Sequence, residues 1–194
     1  MADTKTILEE EVARALAVLK SGGIILYPTD TVWGIGCDAT NEAAVAKIYA
    51  LKKREDRKGM LILTDKIDNV SKYANKIPEI AWELLEVADK PLTLILPDAR
   101  GVAPNLVPEE GSIGIRVVNH EFCKKLIYKL GRPLVSTSAN VAGAATPVTF
   151  PEISREIREG VDYVVSTEVE GRPTRKASSI IQLGLGGEIK IIRE

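Results

Sequence analysis

Gly22-Gly-Ile-Ile-Leu-Tyr-Pro-Thr-Asp-Thr-Val-Trp-Gly-Ile-Gly36 joins a helix stop, a strand and a polar turn. Gly22-Gly23 closes an amphipathic segment over 7–20, whose Val12, Leu16 and Leu19 share one helical face. Ile24-Ile25-Leu26-Tyr27 is a short apolar strand ended by Pro28. The rest carries hydroxyls, a carboxylate and two glycines. Thr31 can bond a small polar ligand there, and glycines permit close backbone approach, yet an ordinary strand-to-loop turn has the same composition. Outward from this stretch the alternation continues. Asn41 can cap a helix over 42–53 that turns Val45, Ile48 and Tyr49 inward. Strands are expected at 60–63, 92–96, 113–117 and 134–135, with helices from Pro78 to Val87, over 121–130 (closed by Gly131) and over 152–159. A strand at 161–165 and a final pair at 178–183 and 188–192 follow, the pair separated by the hairpin signal Gly184-Leu-Gly-Gly187. This order predicts an α/β protein with a sheet of mixed direction, in one domain spanning 1–194.

The 194-residue chain is long enough to bury about 70% of its unfolded surface. With 45% apolar and 27% charged residues and a net charge of −1, its composition is that of a globular protein. That charge excludes a surface that coats nucleic acid all over, but not a local basic cleft. Two cysteines (Cys37 and Cys123) make no disulfide framework, and with the single histidine, His120, they make a zinc site an unfavourable reading. The N-terminus has no signal-peptide pattern, and no apolar run approaches ~18 residues. A cytoplasmic protein without membrane segments is expected.

Four segments can carry chemistry. Pro28–Gly36 is the first. The second is Lys52-Lys-Arg-Glu-Asp-Arg-Lys58, five cations in seven positions. Such a run is either a solvated helix end or a grip on an anion; Lys52, Arg54 and Lys58 suit a triphosphate, Arg as a planar fork and Lys as a point charge. The third is Ser136-Thr-Ser-Ala-Asn140, placed after a strand, where open α/β sheets bind ligands or where hydroxyls merely cap the next segment. The fourth is Arg116 within Gly114-Ile-Arg-Val117. A buried Arg needs an anion, either a structural carboxylate or that of a ligand. His120, just beyond, reads as a strand-end or cap residue. The chain has no G-x-G-x-x-G, G-x-x-x-x-G-K-[ST] or G-x-S-x-G loop.

In order, Tyr27–Gly36, Lys52-Lys53-Arg54, Lys58-Gly-Met-Leu-Ile-Leu63, Pro91–Pro97, Ile113–Val117, Ser136–Asn140, Ala177-Ser-Ser-Ile-Ile181 and Ile192-Arg193 resemble the YrdC/Sua5 family, the threonylcarbamoyl-AMP synthases of tRNA modification. The likeness covers nearly the whole chain and is to the short, single-domain TsaC-like form without the additional Sua5 domain. Departures are Trp33 where Tyr is commoner, Glu55 and Gly59 where Pro is frequent, Ala177-Ser178-Ser179 in place of a Ser-Thr pair, and Gln182 for a frequent Asp.

The resemblance implies a YrdC-like fold, a twisted open mixed sheet with flanking helices around a concave basic cleft. It implies synthesis of threonylcarbamoyl-adenylate and pyrophosphate from L-threonine, bicarbonate or CO2, and ATP. A downstream complex then moves the threonylcarbamoyl group to adenosine 37 of tRNA, and contact of this chain with tRNA itself is left open. Lys52 and Arg54 are the expected catalytic cations. Arg54, Lys58, Ser112, Asn140, Thr149 and Arg193 are expected at ATP, and Thr31, Arg116, Ser138 and Ser178 at threonine. Mg2+ is expected to arrive with ATP, with no metal ligated tightly by protein. The alternatives are a carbamoyl-adenylate-forming enzyme and an RNA-binding module.

Overall fold

The computed structural model describes residues 4–53 and 60–194. Among the described residues, nine strands form one sheet: β1 (Ile25–Tyr27), β2 (Gly34–Gly36), β3 (Leu61–Thr64), β4 (Leu92–Leu96), β5 (Ile113–Val117), β6 (Leu134–Ser138), β7 (Tyr163–Val164), β8 (Ser179–Leu183) and β9 (Ile189–Arg193). Their order is β7-β1-β2-β6-β3-β5-β4-β8-β9. The β1–β7, β3–β5 and β4–β8 pairs are parallel and the other five antiparallel, which is the mixed sheet expected.

The helices are α1 (Thr4–Lys20), α2 (Glu42–Lys52), α3 (Ile80–Val87), α4 (Glu121–Leu130) and α5 (Arg155–Gly160). Gly22, at φ +77°, stops α1, and the N–H groups of Gly22 and Gly23 close on the carbonyls of Leu19 and Val18. Asn41 Oδ1 accepts from the Ala44 N–H and caps α2 as expected. α5 starts later than the sequence suggested. Pro151 sits in a single 3-10 turn over Phe150–Glu152, and Ser154 then caps the helix by accepting from the Ile157 N–H.

Two segments read as loop are strand. β2 comes from the turn-like Trp-Gly-Ile-Gly, and the hydroxyl-rich Ser136-Thr-Ser138 continues β6 rather than following it, pairing with Leu61, Ile35 and Gly34. Gly36 explains how β2 fits. A Cβ there would lie 2.3 Å from the Val135 carbonyl oxygen and 2.6 Å from the Tyr27 ring. The close approach that glycine permits is therefore made by the protein's own backbone and by Tyr27, whose hydroxyl donates to that carbonyl at 3.0 Å.

The sheet has two apolar sides. Ile24, Leu26, Ile62, Leu94, Ile115 and Val135 pack on one side with α2 and α5. Ile25, Tyr27, Leu63 and Leu134 pack on the other with α1 and α4. On β4, β5 and β8 the alternate positions Thr93, Ile95, Gly114, Arg116, Ile180 and Gln182 belong to neither cluster and line a cavity instead. The site is thus the stretch of sheet left open beside the α1–α4 layer.

Candidate functional site

The cavity measures about 420 Å3, and the turn after β1, β6 and the approach to β8 complete its wall. That is within the range of small-molecule pockets. It gathers Thr31, Ser112, Arg116, Ser138, Ser178 and Arg193, six of the residues singled out by sequence, from five separate segments.

Arg116 is 4% exposed and answers the question left open for it, because a structural carboxylate is present. Its Nη2 lies 3.2 Å from Asp30 Oδ1, while Asp30 Oδ2 accepts from the Asn119 N–H. Nη1 donates to Thr31 Oγ1 at 3.1 Å and Nη2 to Thr29 Oγ1 at 3.4 Å; Nε is buried without a hydrogen-bond partner. Thr29 Oγ1 donates to the Val32 carbonyl and accepts from the Thr31 N–H, with Thr31 Oγ1 2.9 Å away. Thr31 Oγ1 accepts from Arg116 and keeps a second lone pair for a ligand, suited to an ammonium or a hydroxyl.

Across the cavity Ser178 Oγ lies 2.8 Å from Thr93 Oγ1, and Arg193 Nε donates to the Ser178 carbonyl at 2.9 Å. Partial burial, then repulsion from Arg116, lowers the Arg193 pKa from its ordinary value. The cavity thus holds two guanidiniums, one of them already paired with Asp30. Glu110 also lines it and accepts from Ser112 Oγ at 3.2 Å.

Lys52, Asn140 and Thr149 lie outside the cavity lining. Lys52 is buried, and its ammonium donates to the Ser138 and Asn140 carbonyls at 2.5 and 2.6 Å, holding the turn after β6 from behind. Asn140 Nδ2 bonds the Val141 and Ala144 carbonyls, and Thr149 Oγ1 donates to Glu152; neither residue lines the cavity. Lys53 makes an exposed pair with Glu156 at 2.6 Å and stands as a surface charge. Arg54, Arg57 and Lys58 lie outside the described residues. His120 occupies the N-cap position of α4, but its Nε2 bonds the Glu170 carbonyl at 2.9 Å. Burial lowers its pKa.

Sequence reasoning missed Asp30, Thr93, Trp33 as a wall, and Glu110. Thr93 carried a signal, as a polar residue inside Leu92–Leu96 placed opposite Arg116 in the β4–β5 register. Glu110 carried none.

An open mixed sheet whose uncovered face bears two arginines and several hydroxyls is an arrangement able to hold a small polar ligand. Residues 17–194 match the model of the Sua5/YciO/YrdC family, described as telomere recombination. The chain belongs to that family. It is 34% identical to a threonylcarbamoyl-AMP synthase of Pseudoalteromonas translucida over 88% of this chain and 90% of that one. The synthase of Marinobacter nauticus is 33% identical over 98% of this chain and its own whole length. Among solved structures, P. abyssi Sua5 complexed with L-threonine matches at 26% identity and TM-score 0.80, covering 94% of this chain and 52% of that one. The chain thus spans about half of that Sua5 chain. E. coli YciO, 22% identical with TM-score 0.79 over 100% of this chain and 91% of its own, shares the fold.

Proposed function

We propose that this chain is a threonylcarbamoyl-AMP synthase, joining L-threonine, CO2 or bicarbonate, and ATP into threonylcarbamoyl-adenylate and pyrophosphate. One observation carries the reading: Thr31, Arg116, Ser178 and Arg193 share one cavity in a chain that aligns with a synthase of that name over the synthase's whole length. The threonine amine adds to CO2 to give a carbamate. A carbamate oxygen attacks the α-phosphorus of ATP, and pyrophosphate leaves in line. Two anions must be held together, so the chemistry rests on positioning and charge neutralisation. Arg116 and the acceptor Thr31 suit the carboxylate and the amine or hydroxyl of threonine, with Ser138 and Ser178 beside them. Arg54 and Lys58 grip the triphosphate, and Lys52 shapes the Ser138–Asn140 turn behind them. Arg193, Ser112, Asn140 and Thr149 serve the nucleotide side. Among the described residues, no cluster of three His, Cys, Asp or Glu side chains is placed to hold a metal ion. In this reading Mg2+ arrives with ATP, held by the phosphates. The product passes to a threonylcarbamoyl-transfer complex acting on tRNA, in the cytoplasm.

The test is mass spectrometry of the product formed from ATP, L-threonine and 13C-bicarbonate. A threonylcarbamoyl-adenylate carrying one 13C is expected, and its absence would overturn the reading. Arg54→Ala is expected to abolish product while leaving the circular dichroism spectrum unchanged; full activity in that variant removes Arg54 from the site.

A further inference from the structure

Three segments that build the cavity meet at one residue outside it. Glu170 stands at the start of an irregular stretch, 170–178, that leads to the cavity residues Ala177 and Ser178. Its carboxylate Oε1 accepts from Trp33 Nε1 at 2.9 Å. Its carbonyl accepts from His120 Nε2 at 2.9 Å, so that nitrogen carries the ring proton. Trp33 lies two residues beyond Thr31, and His120 four beyond Arg116. Past Glu170 the chain turns at Gly171 (φ +67°) and lies along the Thr29–Thr31 turn, with the N–H groups of Thr174 and Arg175 donating to the Asp30 and Thr31 carbonyls at 2.9 and 3.0 Å. Trp33 is 1% exposed and packs on Phe150 with ring centroids 4.7 Å apart, so the indole N–H comes from a fixed wall. A hydrogen bond from a buried donor to a charged acceptor is among the stronger ones a protein makes.

We infer that Glu170 is a positioning residue: its hydrogen bond with Trp33 sets the spacing between Thr31 and Ser178 across the cavity, and with it the fit of the amino-acid substrate. The inference rests on the threonine reading above, but the strap it describes can be probed without any substrate. Glu170→Ala removes the acceptor. Trp33→Phe removes only the donor and keeps an aromatic ring against Phe150. Glu170→Gln keeps an amide oxygen for the indole.

In steady-state assays, Glu170→Ala and Trp33→Phe are expected to raise KM for L-threonine about tenfold, with KM for ATP and kcat each changing less than about threefold. Glu170→Gln is expected to stay within about threefold of wild type throughout. General damage to the fold would instead lower kcat and weaken ATP together. The substrate-free arm is limited trypsin digestion, with cleavage after Arg175 and Lys176 mapped by mass spectrometry. Cleavage there is expected to quicken about tenfold in Glu170→Ala and Trp33→Phe, but not in Glu170→Gln. Unchanged cleavage in both of the first two variants overturns the inference, as does Glu170→Gln behaving like Glu170→Ala. A wild-type protein without threonine-dependent turnover overturns the proposed function instead, and the trypsin arm then decides the strap alone.

Discussion

Arg116 meets any ligand already paired with Asp30, and this shapes what each partner does. Both side chains are at least nine-tenths buried. Removing one leaves the other charge uncompensated, which costs more than the intact pair contributes. Asp30→Ala is therefore expected to destabilise the fold by about 3 kcal/mol, read from urea unfolding. Arg116→Ala is expected to raise KM for threonine about tenfold, with KM for ATP moving less than about threefold; equal effects would contradict the carboxylate assignment. His120 gives a pH dependence. Its folded pKa lies below the ordinary 6.5 because burial disfavours the charged ring. Below pH 6.5 the unfolded chain takes up a proton that the folded chain resists, so this stability is full above 6.5 and is lost as pH falls through the folded value. His120→Gln is expected to lose less stability than wild type between about pH 7.5 and 5.5 in urea unfolding. An equal loss would place the pH dependence elsewhere.

At the scale of elements, β2 shows where the sequence stopped being readable. Gly34-Ile-Gly36 has the composition of a turn, and its strand state comes from pairing with β1 just before it and with β6 far along the chain. Gly36→Ala is expected to cost about 2–3 kcal/mol, because its methyl would collide with a backbone carbonyl that cannot move without breaking the β2–β6 pair. Thermal unfolding measures this. The helices were legible where a local device ends them, as at Gly22, Asn41 and Gly131. The start of α5 was not, because Pro151 diverts the chain into a 3-10 turn before Ser154 can cap it. Lys52 is the contrasting case. Charge pattern placed it in an anion grip, whereas only the fold reveals that two carbonyls after β6 hold its ammonium. Lys52→Ala is expected to lower stability by about 2 kcal/mol, since those carbonyls lose a charged donor.

For the whole molecule, the mixed sheet and the terminal hairpin followed from the alternation of elements. The strand order did not, because which strands become neighbours depends on long-range pairing that no local pattern encodes. That order brings β5, β4 and β8 side by side next to the α1–α4 layer, and so places Thr31, Arg116, Ser178 and Arg193 around one cavity. Motif order in the sequence pointed to the same residues without their geometry. Among the described residues, no helix is long and apolar enough to cross a membrane. The central claim is a threonine-dependent condensation on ATP, and pyrophosphate release by the purified wild-type protein tests it most directly. With ATP, L-threonine and bicarbonate present, release is expected, and omitting threonine or bicarbonate is expected to reduce it to background. Release that continues undiminished without threonine would contradict the account.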